Sequence, residues 1–385
     1  MKYDLIIKNG LTIDFETMEK SVKDIYILDG KFAEGDGDSE SEFTVDAKGK
    51  YVLPGLIDEH THLNLYGSNI GANADLLCIP NGVTTAVDAG TSGWTNFDGF
   101  YMNNIIRYTP SVYAYLHVSP YGVHSGCINE ECHDPADFNE KKIIETFMKY
   151  PDTIIGLKIR MCAKTLGNYG IAPLKRCVEI ADKINGMGRK CIIDLHYDSL
   201  PDNVTISAIL DLLRKGDIFS HVFQIHGETI FTHDDKIQEC VLKGREKGII
   251  FDCCNGRVHW SFNSIEKALK NNFYPDIISS DCIRMSEYVR PAFSLTHAMT
   301  VASAAGMETD KILKCVTYNP AKALGILDKA GQIKVGMPAD VCVMDIIKTD
   351  MVFDDWYGEK RPCNKVFSPV MTVKNGKVVY RHITF

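Results

Sequence analysis

The sequence predicts an α/β protein, a (β/α)8 TIM barrel with a small β-sandwich domain formed by the N- and C-terminal segments. Both ends of the 385-residue chain carry short apolar runs punctuated by turn residues, as β-rich segments do. Between them, apolar strand-like runs alternate with helical stretches, the pattern of a parallel sheet with helical crossovers. Those runs number eight, which favours a closed barrel over an open sheet, and a barrel of about 250 residues leaves room for a second unit. The expected division gives residues 1–53 and 327–385 to the small domain and 54–326 to the barrel.

In chain order, Leu5-Ile6-Ile7 and Ile25-Tyr26-Ile27 read as strands, with Asn9-Gly10 and Asp29-Gly30 as turns. The barrel strands centre on Leu53 to Ile57, Thr84 to Asp88, Val112 to His117, Ile154 to Ile159, Cys191 to Leu195, Ile218 to Phe223, Ile249 to Cys253 and Ile277 to Ser280. Helical stretches are expected at Lys141 to Tyr150, Leu174 to Gly186, Ile206 to Lys215, Lys236 to Lys247 and Ser264 to Lys270. The tail returns to strands at Asp340 to Met344 and Val370 to Tyr380, turning at Asn375-Gly376. The small sheet is expected to pack on the barrel and leave its mouth open.

The formal charge of -8 is mild and lacks any Lys/Arg block, which argues against nucleic acid and membrane surfaces as partners. No run approaches the roughly 18 apolar residues of a membrane span, and the first residues do not form a signal core, so a cytoplasmic protein is expected. Thirteen scattered cysteines read as small buried thiols rather than a disulfide framework. Cys127, Cys132 and His133 lack a second ligand pair at finger spacing, so a structural zinc there is not expected.

The chemistry should lie where the strands end, because a closed barrel carries its site at their C-terminal face. Strand one ends in Asp58-Glu59-His60-Thr61-His62, whose two histidines, two apart, point to the same side of an extended chain. Later strands deliver Lys158, His196, His221 and Asp281 to the same mouth. His226 is an alternative to His221, but it heads into a glycine-containing loop rather than an apolar strand. A lysine ending an apolar strand is costly to bury unpaired; conversion to a carbamate by CO2 would give it two anionic oxygens able to bridge two cations.

With these residues the chain resembles the amidohydrolase superfamily, close to dihydroorotase-like deacetylases and acyl-amino-acid or acyl-hydroxy-acid hydrolases. The resemblance runs over nearly the whole length. It rests on Leu53-Pro54-Gly55-Leu56-Ile57-Asp58-Glu59-His60-Thr61-His62, Gly156 to Arg160, Phe251-Asp252, Asp281, Val316 to Ala321 and Gly336 to Asp340. It implies His60, His62, Lys158 and Asp281 as ligands of one metal, and carboxylated Lys158 with His196 and His221 as ligands of a second. Zinc is the metal implied. The implied mechanism is attack by a bridging hydroxide on an amide or ester carbonyl, with Asp281 as proton carrier.

For substrate contacts, Arg160 lies on the strand side of Lys158 and could clamp a carboxylate or form a structural ion pair. Arg257 and His259 follow strand seven, where Asn255-Gly256 departs from the family's frequent Gly-His-Gly. Tyr121, after strand three, could donate to an oxyanion. His117, His124, His133, His233, His297 and His382 read as core, cap or surface residues. The expected activity is cleavage of a small N-acyl amino acid or O-acyl hydroxy acid, with ring opening of a cyclic amide as the alternative. A metal-assisted lyase or isomerase is a further class. A non-catalytic scaffold would have shed ligands that this chain keeps. A small-molecule substrate and a homo-oligomer are the expected partners.

Overall fold

A computed structural model of the chain describes residues 2–35, 37, 40–123, 131 and 133–385. Seven strands form an all-parallel curled sheet, in sequence order from the first to the last. They are β6 (Leu56–Thr61), β7 (Val83–Asp88), β8 (Ser111–His117), β9 (Ile154–Met161), β10 (Ile192–Tyr197), β11 (Ile218–Ser220) and β12 (Ile250–Asp252). Each is buried along nearly its whole length, as strands covered on both faces must be. Inside the cylinder, Ile57, Val87, Tyr115, Ile192, Ile218 and Ile277 fill the floor. Outside, a larger apolar cluster joins the strands to the crossover helices, among them Glu140–Lys149, Ala172–Gly186, Glu239–Lys247 and Phe262–Lys270.

The eighth position differs from the expected regular strand. Residues 277–282 reach it through isolated parallel bridges, Asp252 with Ile277 and Thr61 with Cys282. The Cys253, Asn255 and Gly256 amides donate to the Ile277, Ser279 and Ser280 carbonyls, and Asp281 N donates to His60 O at 2.8 Å. The barrel thus closes without a continuous ladder. The Asp58 carboxylate takes up part of that work: its oxygens accept Ser280 N at 2.9 Å and Ser280 Oγ at 2.6 Å.

The termini build an eight-stranded sheet of β1 (Tyr3–Ile13), β2 (Lys20–Leu28), β3 (Lys31–Ala33), β4 (Ser41–Asp46), β5 (Tyr51–Pro54), β13 (Val341–Lys348), β16 (Lys365–Lys374) and β17 (Lys377–Arg381). Asp29-Gly30 and Asn375-Gly376 make the expected turns, all four residues having positive φ. Asn9-Gly10 does not turn the chain. It forms a bulge inside β1, where Asn9 adopts φ 58° and a Cβ on Gly10 would strike Val52 Cγ2 at 2.3 Å. The first expected barrel strand is in fact divided at Gly55, with β5 in the terminal sheet and β6 in the barrel. A Cβ at Gly55 would lie 2.0 Å from Thr84 Oγ1, so only glycine lets the chain pass between the two.

The sheet packs on the barrel through Cys342, Met344 and Phe367, which belong to the barrel's outer core. A separate two-stranded piece of the C-terminal segment goes further. The hairpin of β14 (Val352–Asp354) and β15 (Lys360–Pro362) reaches the barrel mouth. At its tip Tyr357 Oη donates to Val258 O at 2.5 Å and meets His226 Nε2 at 2.7 Å. The mouth is therefore not left clear of the terminal segment, because an exposed hairpin tip finds polar partners on the strand-end loops. Among the described residues no helix is long and apolar enough to cross a membrane, and every described cysteine is a free thiol.

Candidate metal centre

The strand ends bring His60, His62, Lys158, His196, His221 and Asp281 to one side of the barrel. His60 and Lys158 are within their strands, and His221 follows β11 directly with φ 66°. Asp281, with φ 47°, ends the segment at the eighth position. His62 Nε2 lies 3.2 Å from Asp281 Oδ1, His60 Nε2 3.8 Å from the same oxygen, and His221 Nε2 4.0 Å from Asp281 Oδ2. Lys158 Nζ is 3.4 Å from His60 Nε2.

Donor counting fixes how these rings present themselves. His221 Nδ1 lies 2.8 Å from Cys254 O, and a carbonyl only accepts, so Nδ1 carries the proton and Nε2 its lone pair. His62 Nδ1 meets Thr91 Oγ1 at 3.1 Å, while that hydroxyl spends its hydrogen on Asp88 Oδ2 at 2.6 Å, so His62 Nδ1 donates as well. His60 Nδ1 faces the Asp194 carboxylate at 3.4 Å. His62 and His221 thus turn bare Nε2 atoms toward Asp281, backed by oxygens of the kind that orient metal-binding histidines, and His60 Nε2 faces the same carboxylate. Buried His196 Nε2 has no hydrogen-bond partner, its ring 4.4 Å from that of His221.

The set fits divalent ions. Two donors each about 2.1 Å from one ion lie roughly 3.0–3.4 Å apart at tetrahedral or octahedral angles, and the separations above start in that range. Burial pushes His60, His196 and His221 well below the usual histidine range, which keeps them neutral. Burial alone would raise the Asp281 carboxyl, but the His259 and His62 rings beside it hold it well below the usual carboxylate range, and so anionic. Lys158 is buried with Nζ 2.5 Å from Asp194 Oδ2. Its unmodified amine therefore has a partner, so burial alone does not require a carbamate.

The substrate-side residues divide. His259 stands between Asp281 Oδ2 at 3.6 Å and Asp198 Oδ2 at 3.7 Å, and these two carboxylates raise its pKa against the opposing effect of burial. Arg160 donates from Nη1 to buried Glu131 Oε2 at 2.6 Å, forming the ion pair that its sequence position left open. Arg257 lies over the Trp356 ring at 5.7 Å, at the hairpin tip, and Tyr121 is exposed on its loop. His226 sits apart from the cluster, with Nδ1 2.7 Å from Asp198 Oδ1.

His117 and His133, read from sequence among core, cap or surface residues, are buried and converge on Glu131 Oε1 at 3.1 and 2.6 Å. Ser119 N donates to His117 Nδ1, which leaves the ring proton on His117 Nε2, facing Glu131, rather than a ligand lone pair. Cys127, Cys132 and His124 lie outside the described residues. His297 is buried, and His233 and His382 are exposed. Sequence reasoning missed Glu131, Asp198, Tyr357 and Cys254. For Cys254 alone there was a local signal, two cysteines immediately before Asn255-Gly256 at a strand end.

The amidohydrolase family model matches residues 51–379. The chain belongs to the amidohydrolase family. It is accordingly a hydrolytic enzyme acting on C–N bonds, of a family that usually binds divalent metals. It is 27% identical over 379 residues to a deacetylase of Enterococcus faecalis, covering 98% of this chain and 99% of the relative. It is also 27% identical to a deacetylase of Agrobacterium fabrum over 335 residues, 87% of this chain and 80% of the relative. Among solved structures, one described as an adenine deaminase superposes with TM-score 0.88 at 26% identity, covering 98% of this chain and 100% of that one. One described as a dihydroorotase superposes with TM-score 0.86 at 25% identity, covering 98% of each.

Proposed function

We propose that this amidohydrolase removes a small acyl group from an N-acyl amino acid or O-acyl hydroxy acid, using two zinc ions at the barrel mouth. His60, His62, Lys158 and Asp281 would hold one ion, and Lys158 as a carbamate with His196 and His221 would hold the other. The observation that carries the reading is the convergence of three histidine Nε2 atoms on the Asp281 carboxylate. Bound there, the ions supply Lewis acidity toward a carbonyl and a nucleophile available at neutral pH.

The chain's own residues supply the proton path and the grip. Asp281 is anionic and is the general base, taking the nucleophile's proton and returning it to the leaving nitrogen or oxygen. His259 stands between Asp281 and Asp198, its Nδ1 3.6 Å from Asp281 Oδ2, where a protonated ring favours the anionic carboxylate. Arg160, anchored through Nη1 on Glu131, presents the rest of its guanidinium to a substrate carboxylate. Residues 54–326 form the catalytic unit in this reading, with 1–53 and 327–385 as its companion domain.

The dihydroorotase likeness favours one second reading, ring opening of a cyclic amide. A panel of N-acetyl amino acids, O-acetyl hydroxy acids, hydantoins and dihydropyrimidines, offered to the zinc-loaded enzyme, separates the two. Turnover of acyclic substrates alone, lost in Asp281→Asn with zinc retained, is the expected result. Turnover confined to cyclic amides would overturn the acyl-hydrolase reading.

A further inference from the structure

The mouth also holds a sulfur donor beside the six residues assigned above. Cys254, two residues beyond β12, is fully buried, and its Sγ lies 3.8 Å from His221 Nε2. Donor atoms of His60, His221 and Cys254 all lie within 4.8 Å of one another. Because His221 Nδ1 donates to the carbonyl of this same cysteine, Nε2 can only accept. The Sγ–H hydrogen therefore points at that nitrogen lone pair, the position a metal ion would take in its place. Sulfur about 2.3 Å and nitrogen about 2.1 Å from one ion are separated by roughly 3.1–3.6 Å, close to what is found here.

Resting on the metal-centre reading, we propose that Cys254 is a further ligand of the centre, giving the ion on His221 a sulfur donor. Formation of the S–metal bond breaks the S–H bond, and the proton leaves to solvent with no change in oxidation state. A thiolate shifts the site's preference toward softer ions such as zinc, cobalt and cadmium and away from manganese or magnesium. The adjacent Cys253 serves as an internal control, since its Sγ turns instead to Asn255 Oδ1 at 3.2 Å.

The test is cobalt reconstitution of the metal-free full chain with bicarbonate present, followed by absorption spectroscopy and ion counting. Wild type and Cys253→Ser should show a near-ultraviolet sulfur-to-cobalt charge-transfer band beside the visible ligand-field bands. Cys254→Ser should lose the charge-transfer band, keep the ligand-field bands and lose affinity for cadmium more than for manganese. Cys254→Gly is the second variant, because Cys254 has φ 41°, a conformation glycine adopts freely, so the loop should fold without the thiol. Bound cobalt without the band in wild type, or a band surviving in both Cys254 variants, would overturn the ligand and leave the centre standing. Failure of wild type to bind cobalt would overturn both.

Discussion

Lys158→Met separates the two states open to that side chain, a bridging carbamate or a plain ammonium. Methionine keeps the length and removes the nitrogen that lies 2.5 Å from Asp194 Oδ2 and 3.4 Å from His60 Nε2. In the metal-free protein the change strands a buried carboxylate, a loss of about 3–5 kcal/mol when one partner of a buried pair goes. Asp194 still accepts from Ser220 Oγ at 2.6 Å, which places the cost near the lower figure. About 3 kcal/mol corresponds to a fall in melting temperature of roughly 6–12 °C at 2–4 °C per kcal/mol. In zinc-saturated protein with bicarbonate, elemental analysis should show the ion count falling from two per chain to one or fewer. Two ions retained beside the melting loss would refute the bridging role and leave Lys158 as a structural ion pair with Asp194.

Three further outcomes follow from particular contacts. Gly256→Ala places a Cβ 2.6 Å from Asp281 Oδ2 at φ 53°, so hydrolysis should fall at least tenfold, and calorimetry should show about 1–2 kcal/mol lost to left-handed strain. Burial pushes His297 down to about 4 from an ordinary 6.5, so it folds neutral. Its contribution is full above pH 6.5 and is lost as pH falls through 4. The loss is about 3 kcal/mol by proton linkage, and denaturant titrations of His297→Leu should flatten that part of the pH profile. Tyr357→Phe removes the hydroxyl that joins the hairpin to Val258 O and His226, and hydrogen exchange of the 255–261 backbone should accelerate while the ion count is unchanged.

Much of the barrel is legible in the sequence because buried parallel strands leave continuous apolar runs, and those runs end in polar residues such as His60 and Lys158. The eighth strand reads as apolar at Ile277 and Ile278, but its pairing depends on Asp58 of the neighbouring first strand holding Ser280, over two hundred residues along the chain, which no local pattern encodes. Asn9-Gly10 carries a turn signature and forms a bulge instead, because β4 and β5 pair with both halves of β1 and keep the strand continuous. The Cys253-Cys254 pair at a strand end is visible in the sequence, but which of the two thiols faces the mouth is not. Only the positive φ of Cys254, which swings its thiol toward His221, distinguishes it from Cys253. Glu131 and Tyr357 reach their partners through a loop and a distant hairpin, and contacts at such separation leave no trace in composition or period.

The Tyr357 hairpin also bears on how the molecule comes apart. A strut from the terminal segment that ends on loops of the candidate metal centre would join the two units of the proposed division at the place where ligands would bind. Ions or substrate that stabilise those loops draw the strut with them, so part of the binding free energy is transmitted to a sheet that touches no ligand. Loaded with metal, the protein should melt in a single transition. Stripped of it, the terminal sheet and the barrel should separate into two, and the gap between their midpoints measures how much of the cooperativity the metal centre supplies.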